Sequence, residues 1–540
     1  MSNVSHADLP SGAPTVDTVI VGAGFAGMYM LHKIRELGLS AKVFEVGDDV
    51  GGTWYWNRYP GARCDVESVE YSYSFDESLQ QDWVWTERFA TQPEILNYAQ
   101  HVAERFDLRR DIQFSTRVLG ARYEEQTRSW AVQTDDGFTT TARFLLSAVG
   151  CLSSANVPDL DGQDLFTGPQ FHTGHWPHDG VDFTGQRVGV IGTGSSGVQS
   201  IPLIAQQAEH LTVFQRTPTY SVPARNRSLL PGELDSVKAT YPELRAANRR
   251  MSGAYGSRIA RGNRSALSLT SEERNFDYEA RWQIGGLALL HGFNDLLQNR
   301  EANDTAAEFV RAKIAEVVAD PAVAAKLLPD HVIGCKRLCL DTDYYETFNR
   351  GNVTLVDLRT EQFEQITATG IRAGGVHHEL DCVVYATGFD AMTGSLLKMN
   401  VCGPERLLAD IWLAGPRTYL GLGVSGLPNF FIITGPGSPS VLSNVLASIE
   451  FHVEWIARCL AYLLEHGLTR IEAAPDAETD WVEHVNAVAA TTLFPTCNSW
   501  YLGANVPGKP RIFMPLPGYP DYVDRCLEVA AHGYPGFDLQ

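Results

Sequence analysis

Hydrophobic positions in this chain form two short β-like runs that each break on a glycine-rich turn, and much of the sequence is arranged around that repetition. Thr15–Val21 is largely β-branched and apolar and ends in Gly22-Ala23-Gly24-Phe25-Ala26-Gly27. Met28, Leu31, Ile34 and Leu37 then recur at helical spacing up to Gly38, which predicts a helix with a glycine cap. Lys42–Phe44 predicts a second strand, with Glu45 at its end. The series returns later in the chain. A strand-like run Arg187–Ile191 leads into Gly192-Thr193-Gly194-Ser195-Ser196-Gly197, and a strand Leu211–Phe214 ends at Gln215, Arg216 and Thr217.

A strand, a GxGxxG turn, a helix and a strand together make a dinucleotide-binding unit. The first glycine allows the tight turn, the second lets the backbone approach a pyrophosphate, and the third lets helix and strand pack closely. The helix N-terminus supplies unpaired N–H groups and positive dipole for the phosphates. Glu45 stands 23 positions after Gly22, where a carboxylate can accept hydrogen bonds from a ribose diol. That end suits the adenosine of FAD. Gln215 stands at the same distance from Gly192, and Arg216 with Thr217 offers a cation and a hydroxyl in place of the acid. Those groups suit a 2′-phosphate, hence NADP over NAD. Two nucleotide sites in one chain imply an enzyme that passes electrons between cofactors.

Between the two strand-rich parts the pattern becomes helical. Thr270/Glu273 and Thr305/Glu308 have capping-box spacing, Val310, Ile314, Val317 and Val318 form an apolar stripe, and Asp320-Pro321 opens another helix. Strand-like segments resume at Val353–Val356 and Cys382–Tyr385, the latter ending in Ala386-Thr387-Gly388. Ser147-Ala148-Val149-Gly150 marks the corresponding exit from the first half. Ser443/Asn444 precede an apolar face of Val445, Ile449, Val453, Ile456 and Leu460, which predicts a long helix running to Gly467. The expected class is therefore α/β with two Rossmann-like dinucleotide-binding domains: FAD over 1–150 and 389–540, NADP over 151–388, with a helical insertion over 228–330.

Size and charge narrow this picture. A chain of 540 residues exceeds one ordinary core, and 44% hydrophobic with 20% charged residues predicts a globular protein. Met1–Pro14 reads as a disordered lead-in without the pattern of a signal peptide, and no apolar run approaches a membrane span. The net charge of −21 argues against nucleic-acid and anionic-membrane partners. Nine scattered cysteines without a CxxC fit a reducing cytoplasm, with no disulfide framework and no metal site expected.

Phe166, Gly168, His172, Trp176 and Pro177 stand at FxGxxxHxxxWP spacing just before the second glycine turn. With this stretch the sequence resembles the Baeyer–Villiger monooxygenases, in the pattern of the phenylacetone and steroid branch. The resemblance extends through Gly51–Gly61 and Ala62-Arg63-Cys64-Asp65, Lys336-Arg337 before Asp343–Glu346, Ala386–Gly388, and Ser499–Tyr501 with Gly503–Asn505. It implies FAD and NADP(H) as cofactors and a ketone and O2 as partners, the ketone being aryl, cyclic, steroidal or long-chain. In that chemistry NADPH reduces the flavin, oxygen adds to give a C4a-peroxyflavin, and attack on the ketone yields an ester or lactone. It further implies that Arg337 is the active-site cation and that Asp65 orients it. Thr53, Trp54, Tyr71 and Val118 are implied to line FAD, Lys336 to contact NADP, and Trp500 to contact NADP and close the cavity from a mobile loop. His172 belongs to a linker that couples the domains and is not expected to act as an acid or base. The loop Gly435–Asn444 resembles the longer active-site loop of the same branch. A monomer or weak homo-oligomer is expected.

Three other readings share parts of this pattern. An N- or S-oxygenating flavin monooxygenase differs in its products. A pyridine-nucleotide disulfide oxidoreductase needs a redox cysteine pair near the flavin, where the stretch after Gly51 offers only Cys64. A nucleotide sensor would bind both cofactors without turnover.

Overall fold

The computed structural model describes residues 15–540, so the expected lead-in Met1–Pro14 lies outside the described residues. One mixed sheet and one all-parallel sheet carry the fold. In the first, Val16–Val21 sits between Thr139–Ser147 and Ala41–Phe44, parallel to both. Phe430–Ile432 also pairs with Thr139–Ser147, and Val401–Cys402 pairs with Val118–Glu124, so the C-terminal part of the chain returns to this sheet. In the second, Val353–Asp357, His210–Gln215, Arg187–Ile191, Cys382–Tyr385 and Gln170–His172 lie side by side, all parallel. Parallel strands are covered on both faces, which explains why Val19, Ile20, Val188, Val190, Val383 and Val384 carry no exposed surface.

Residues 228–330 hold helices, among them Ser271–Ile284, Arg300–Val317 and Pro321–Leu327. Thr270 and Glu273 form the capping box. Asp320 accepts from the Ala322 N–H at the start of the helix it caps. Thr305 and Glu308, however, lie inside a helix. Asn299 caps that helix by accepting from the Glu301 and Ala302 N–H groups, and the Thr305 hydroxyl turns back to the Ala302 carbonyl. Box spacing is thus overridden where a better acceptor lies upstream. The long helix Val445–Glu465 starts at Asn444, whose side chain accepts from the Leu446 N–H, and it packs along Phe25–Glu36 beneath the first sheet.

The cysteine expectation needs correction. Cys335 and Cys497 form a disulfide, with Cα atoms 6.3 Å apart and 162 positions between them in sequence. Odd number and scatter describe spacing along the chain, while a disulfide depends on distance in space. The other seven cysteines are unpaired. Among the described residues no helix is long and apolar enough to cross a membrane, and no three His, Cys, Asp or Glu side chains gather into a metal-binding group.

Candidate functional site

Both glycine turns are built by the same contacts. Gly22 (φ +103°) donates its N–H to the Phe44 carbonyl at 2.8 Å, and a Cβ there would lie 2.6 Å from the Ala148 carbonyl oxygen. Gly192 (φ +108°) donates to Phe214 at 3.0 Å, and its Cβ would lie 2.5 Å from the Ala386 oxygen. A side chain would collide with the next strand at either place and would strain the backbone. At Gly27 and Gly197 an added Cβ would meet the carbonyl oxygen of Gly22 and Gly192, respectively, so the helices Phe25–Glu36 and Ser195–Gln207 begin hard against the turns. Gly24 and Gly194 are the N-caps and make no side-chain cap bond, which leaves the first amides available to a phosphate. Gly24 touches Gly52, where a Cβ would come within 2.9 Å of the Gly24 Cα, while nothing lies within 4 Å of a Cβ at Gly194.

A cavity of about 830 Å³ opens from the first turn. It brings together Gly22, Gly24, Glu45, Thr53, Trp54, Asp65, Tyr71, Val118, Ser195, Arg337 and Trp500 from the expected site. Gly27, Gly192, Gly194, Gly197, Arg216, Thr217 and Lys336 do not line it. The Glu45 carboxylate is buried and accepts the Ala23 N–H at 2.7 Å and the Gly47 N–H at 2.8 Å. Burial pushes its pKa up, against the lowering effect of these backbone bonds. Trp54 donates its indole N–H to the Tyr71 hydroxyl at 3.1 Å, and the rings meet edge-on. Thr53 begins the short helix Thr53–Trp56, and Val118 heads the strand Val118–Glu124. Glycine cradle, buried acid and aromatic wall fit an adenine–flavin dinucleotide.

Arg337 and Asp65, 272 positions apart, form a two-pronged pair across this cavity. Nε donates to Oδ2 at 2.6 Å and Nη2 to Oδ1 at 2.8 Å, while Nη1 donates to the Val441 carbonyl at 3.1 Å. Burial by itself lowers the pKa of the guanidinium. The charge and hydrogen bonds of Asp65 outweigh it and hold the group well above its ordinary value. A permanently charged, oriented cation therefore faces a partly enclosed space, where it interacts with developing negative charge more strongly than at the surface.

A second cationic feature lies near the other turn. Lys336 makes no ion pair or hydrogen bond among the described residues, and burial followed by the nearby Arg216 charge lowers its pKa. His331, next to Lys336, is held at about 4 by burial and then by that lysine. Two cations without a carboxylate partner among the described residues suit a dianion such as a ribose 2′-phosphate. Gln215 is fully buried and donates to the Lys326 carbonyl, so it turns inward, whereas Arg216 is exposed. Thr217 accepts the Thr193 hydroxyl through its carbonyl.

In the aromatic linker, Phe166, Trp176 and His172 are buried, and His172 ends the edge strand Gln170–His172, opposite Tyr385 of the neighbouring strand. His172 Nδ1 accepts the Gly174 N–H at 2.9 Å, and Nε2 lies 3.3 Å from the Thr387 hydroxyl, which in turn donates to the Asn156 carbonyl. Burial, with His175 nearby, brings its pKa down to about 4. Such a ring is neutral and structural near pH 7.

Two contributors were not anticipated. Gln199 accepts the Tyr59 hydroxyl at 2.8 Å and donates to the Arg63 carbonyl at 3.1 Å, stitching the segment before Asp65 to the second helix. Its position one helical turn after Ser195 was the only available signal. Val441 acts through its carbonyl, for which no residue type is diagnostic. The Cys335–Cys497 pair does not line the cavity, so it is not placed for exchange with a flavin.

A flavin-binding monooxygenase-like family model matches residues 16–230. The chain is 43% identical to a Baeyer–Villiger monooxygenase of Pseudooceanicola batsensis over 96% of this chain and 95% of that one. It superposes on oxidised steroid monooxygenase bound to NADP with a TM-score of 0.92 and 53% identity, covering 97% of this chain and 99% of that one. It also matches OTEMO in complex with FAD and NADP, with a TM-score of 0.94 and 41% identity over 98% and 100% of the two chains.

Proposed function

This chain belongs to the Baeyer–Villiger monooxygenases, FAD- and NADPH-dependent enzymes that insert one oxygen atom beside a ketone carbonyl, and we propose how its own residues divide that work. When bound, FAD supplies the activation of oxygen and NADPH the reducing hydride.

Arg337 is the catalytic cation. Its forked bond to Asp65 and its third bond to Val441 aim it into the cavity, where it stabilises negative charge on the ketone oxygen as the carbonyl is attacked. Asp65 positions Arg337 and keeps it charged. Lys336, Arg216 and Thr217 hold the 2′-phosphate end of NADP, and the amides at the start of Ser195–Gln207 receive its pyrophosphate. The amides at the start of Phe25–Glu36, Glu45, Thr53, Trp54, Tyr71 and Val118 hold FAD. Trp500, with Leu152 and Val441, walls the substrate end and excludes water. The residue ranges 1–150 with 389–540 and 151–388 serve as the FAD and NADP domains, and the helices of 228–330 as an insertion.

The observation that carries this reading is the Arg337–Asp65 pair, formed where the segment after Gly51-Gly52 meets the loop after Cys335. The longer loop Gly435–Asn444 supports aryl and cyclic ketones, with steroids or long-chain ketones within the range. We place the enzyme in the cytoplasm as a monomer or weak homo-oligomer, a setting that seven unpaired thiols support. Product identification by mass spectrometry on a ketone panel with NADPH and O2 tests the assignment. Esters or lactones are expected, whereas sulfoxides or N-oxides without any ester would reject it.

A further inference from the structure

The disulfide joins two segments that carry separate parts of the site. Cys335 immediately precedes Lys336 and Arg337, and Cys497 lies three residues before Trp500. Among the described residues no hydrogen bond connects residues 331–337 with 493–503. Apart from the sulfur bridge, the two meet through an apolar cluster that includes Val332, Phe494 and Tyr501. Beyond Trp500 the loop is fastened to different elements: Asn505 donates to the Phe389 carbonyl at 2.7 Å, and Lys509 pairs with Asp390. Opening the bridge would therefore leave the Arg337 segment and the Trp500 turn associated by side-chain packing alone. Both sulfurs belong to buried residues, Cys335 with no exposed surface, so reagents reach them only when the loop lifts.

We propose that Cys335 and Cys497 are a thiol–disulfide modification site that latches the Trp500 loop to the Arg337 segment. Oxidised, the pair holds the loop over the cavity; reduced, it lets the loop swing and speeds exchange of NADP. The last effect rests on the reading of Trp500 as an NADP contact. A hydroperoxide forms the latch. One thiolate attacks the O–O bond to give a sulfenic acid and, from hydrogen peroxide, hydroxide, which takes up the proton released when the thiol ionised and leaves as water; the second thiol then displaces the sulfenic hydroxyl as water, closing the S–S bond. The peroxide takes up two electrons in total. A dithiol reverses the change, giving up two electrons and two protons to become a cyclic disulfide.

The test uses the FAD-loaded, full-length enzyme, treated with hydrogen peroxide or with dithiothreitol. Alkylation followed by peptide mass spectrometry is expected to find Cys335 and Cys497 blocked in the first sample and labelled in the second, with NADP+ slowing their reduction. Proteolysis within residues 498–512 is expected to be about five-fold or more faster in the reduced enzyme, because the closed loop resists local opening. Cys497→Ser and Cys335→Ser are expected to be cleaved at the reduced rate under either treatment. Full labelling of both thiols after peroxide, or equal cleavage of oxidised and reduced enzyme, would overturn the latch. Redox-dependent cleavage with redox-independent NADP+ release leaves the latch standing and overturns the Trp500 assignment. Ester formation on the same samples reports separately on the proposed activity.

Discussion

Replacing Asp65 with asparagine keeps the shape of the side chain and removes the charge that orients Arg337. In the native pair two carboxylate oxygens accept from Nε and Nη2 at 2.6 and 2.8 Å. Asparagine offers one oxygen, and its NH2 group turns toward a donor. A charge-assisted bond contributes about 1.5–3 kcal/mol. The side chains keep 18% and 27% of their exposure, so solvent screens the pair and the lower end of that range, about 1.5–2 kcal/mol, applies. Ester formation should then fall by roughly 10- to 30-fold. The assay pairs gas chromatography of the ester with anaerobic stopped-flow bleaching of the flavin by NADPH, and bleaching should stay within about twofold of wild type. Arg337→Ala should cut ester formation by about 10²–10³-fold while still allowing reduction. If Asp65 acts through Arg337, adding Asp65→Asn to Arg337→Ala costs nothing more. Fully additive losses, or normal ester formation by Asp65→Asn, would refute the positioning role.

Arg216→Ala should raise the KM for NADPH by about ten-fold and leave that for NADH nearly unchanged, since a lost phosphate contact affects only NADPH; equal losses in steady-state assays would count against the contact. Gly52→Ala places a Cβ 2.9 Å from the Gly24 Cα, and absorption spectra should show reduced flavin content in a protein that still folds. His172 has a folded pKa of about 4, below its ordinary 6.5, so its stabilising contribution is complete above pH 6.5 and is lost as pH falls toward 4. Melting curves at pH 7 and 5 should show His172→Gln losing less stability on acidification than wild type, by about 2 kcal/mol. The same variant should retain FAD but couple NADPH oxidation to product more slowly, and unchanged kinetics would reduce the linker to packing.

Sequence alone determined the features whose physics is local. A glycine forced to positive φ, an apolar face recurring every three or four residues, and a cap oxygen within reach of its own helix start all act over short stretches. The paired glycine turns at Gly22 and Gly192, the Asn444 start of the long helix and the Thr270–Glu273 box were therefore legible. Arg337 and Asp65 could be named through family resemblance, because nothing near either residue distinguishes it from a surface charge. Only the tertiary structure decided their two-pronged contact, the third bond to a backbone carbonyl at Val441, the inward turn of Gln215 and the Cys335–Cys497 bridge. These are meetings between segments far apart in sequence, whose distances are set by how the two sheets pack.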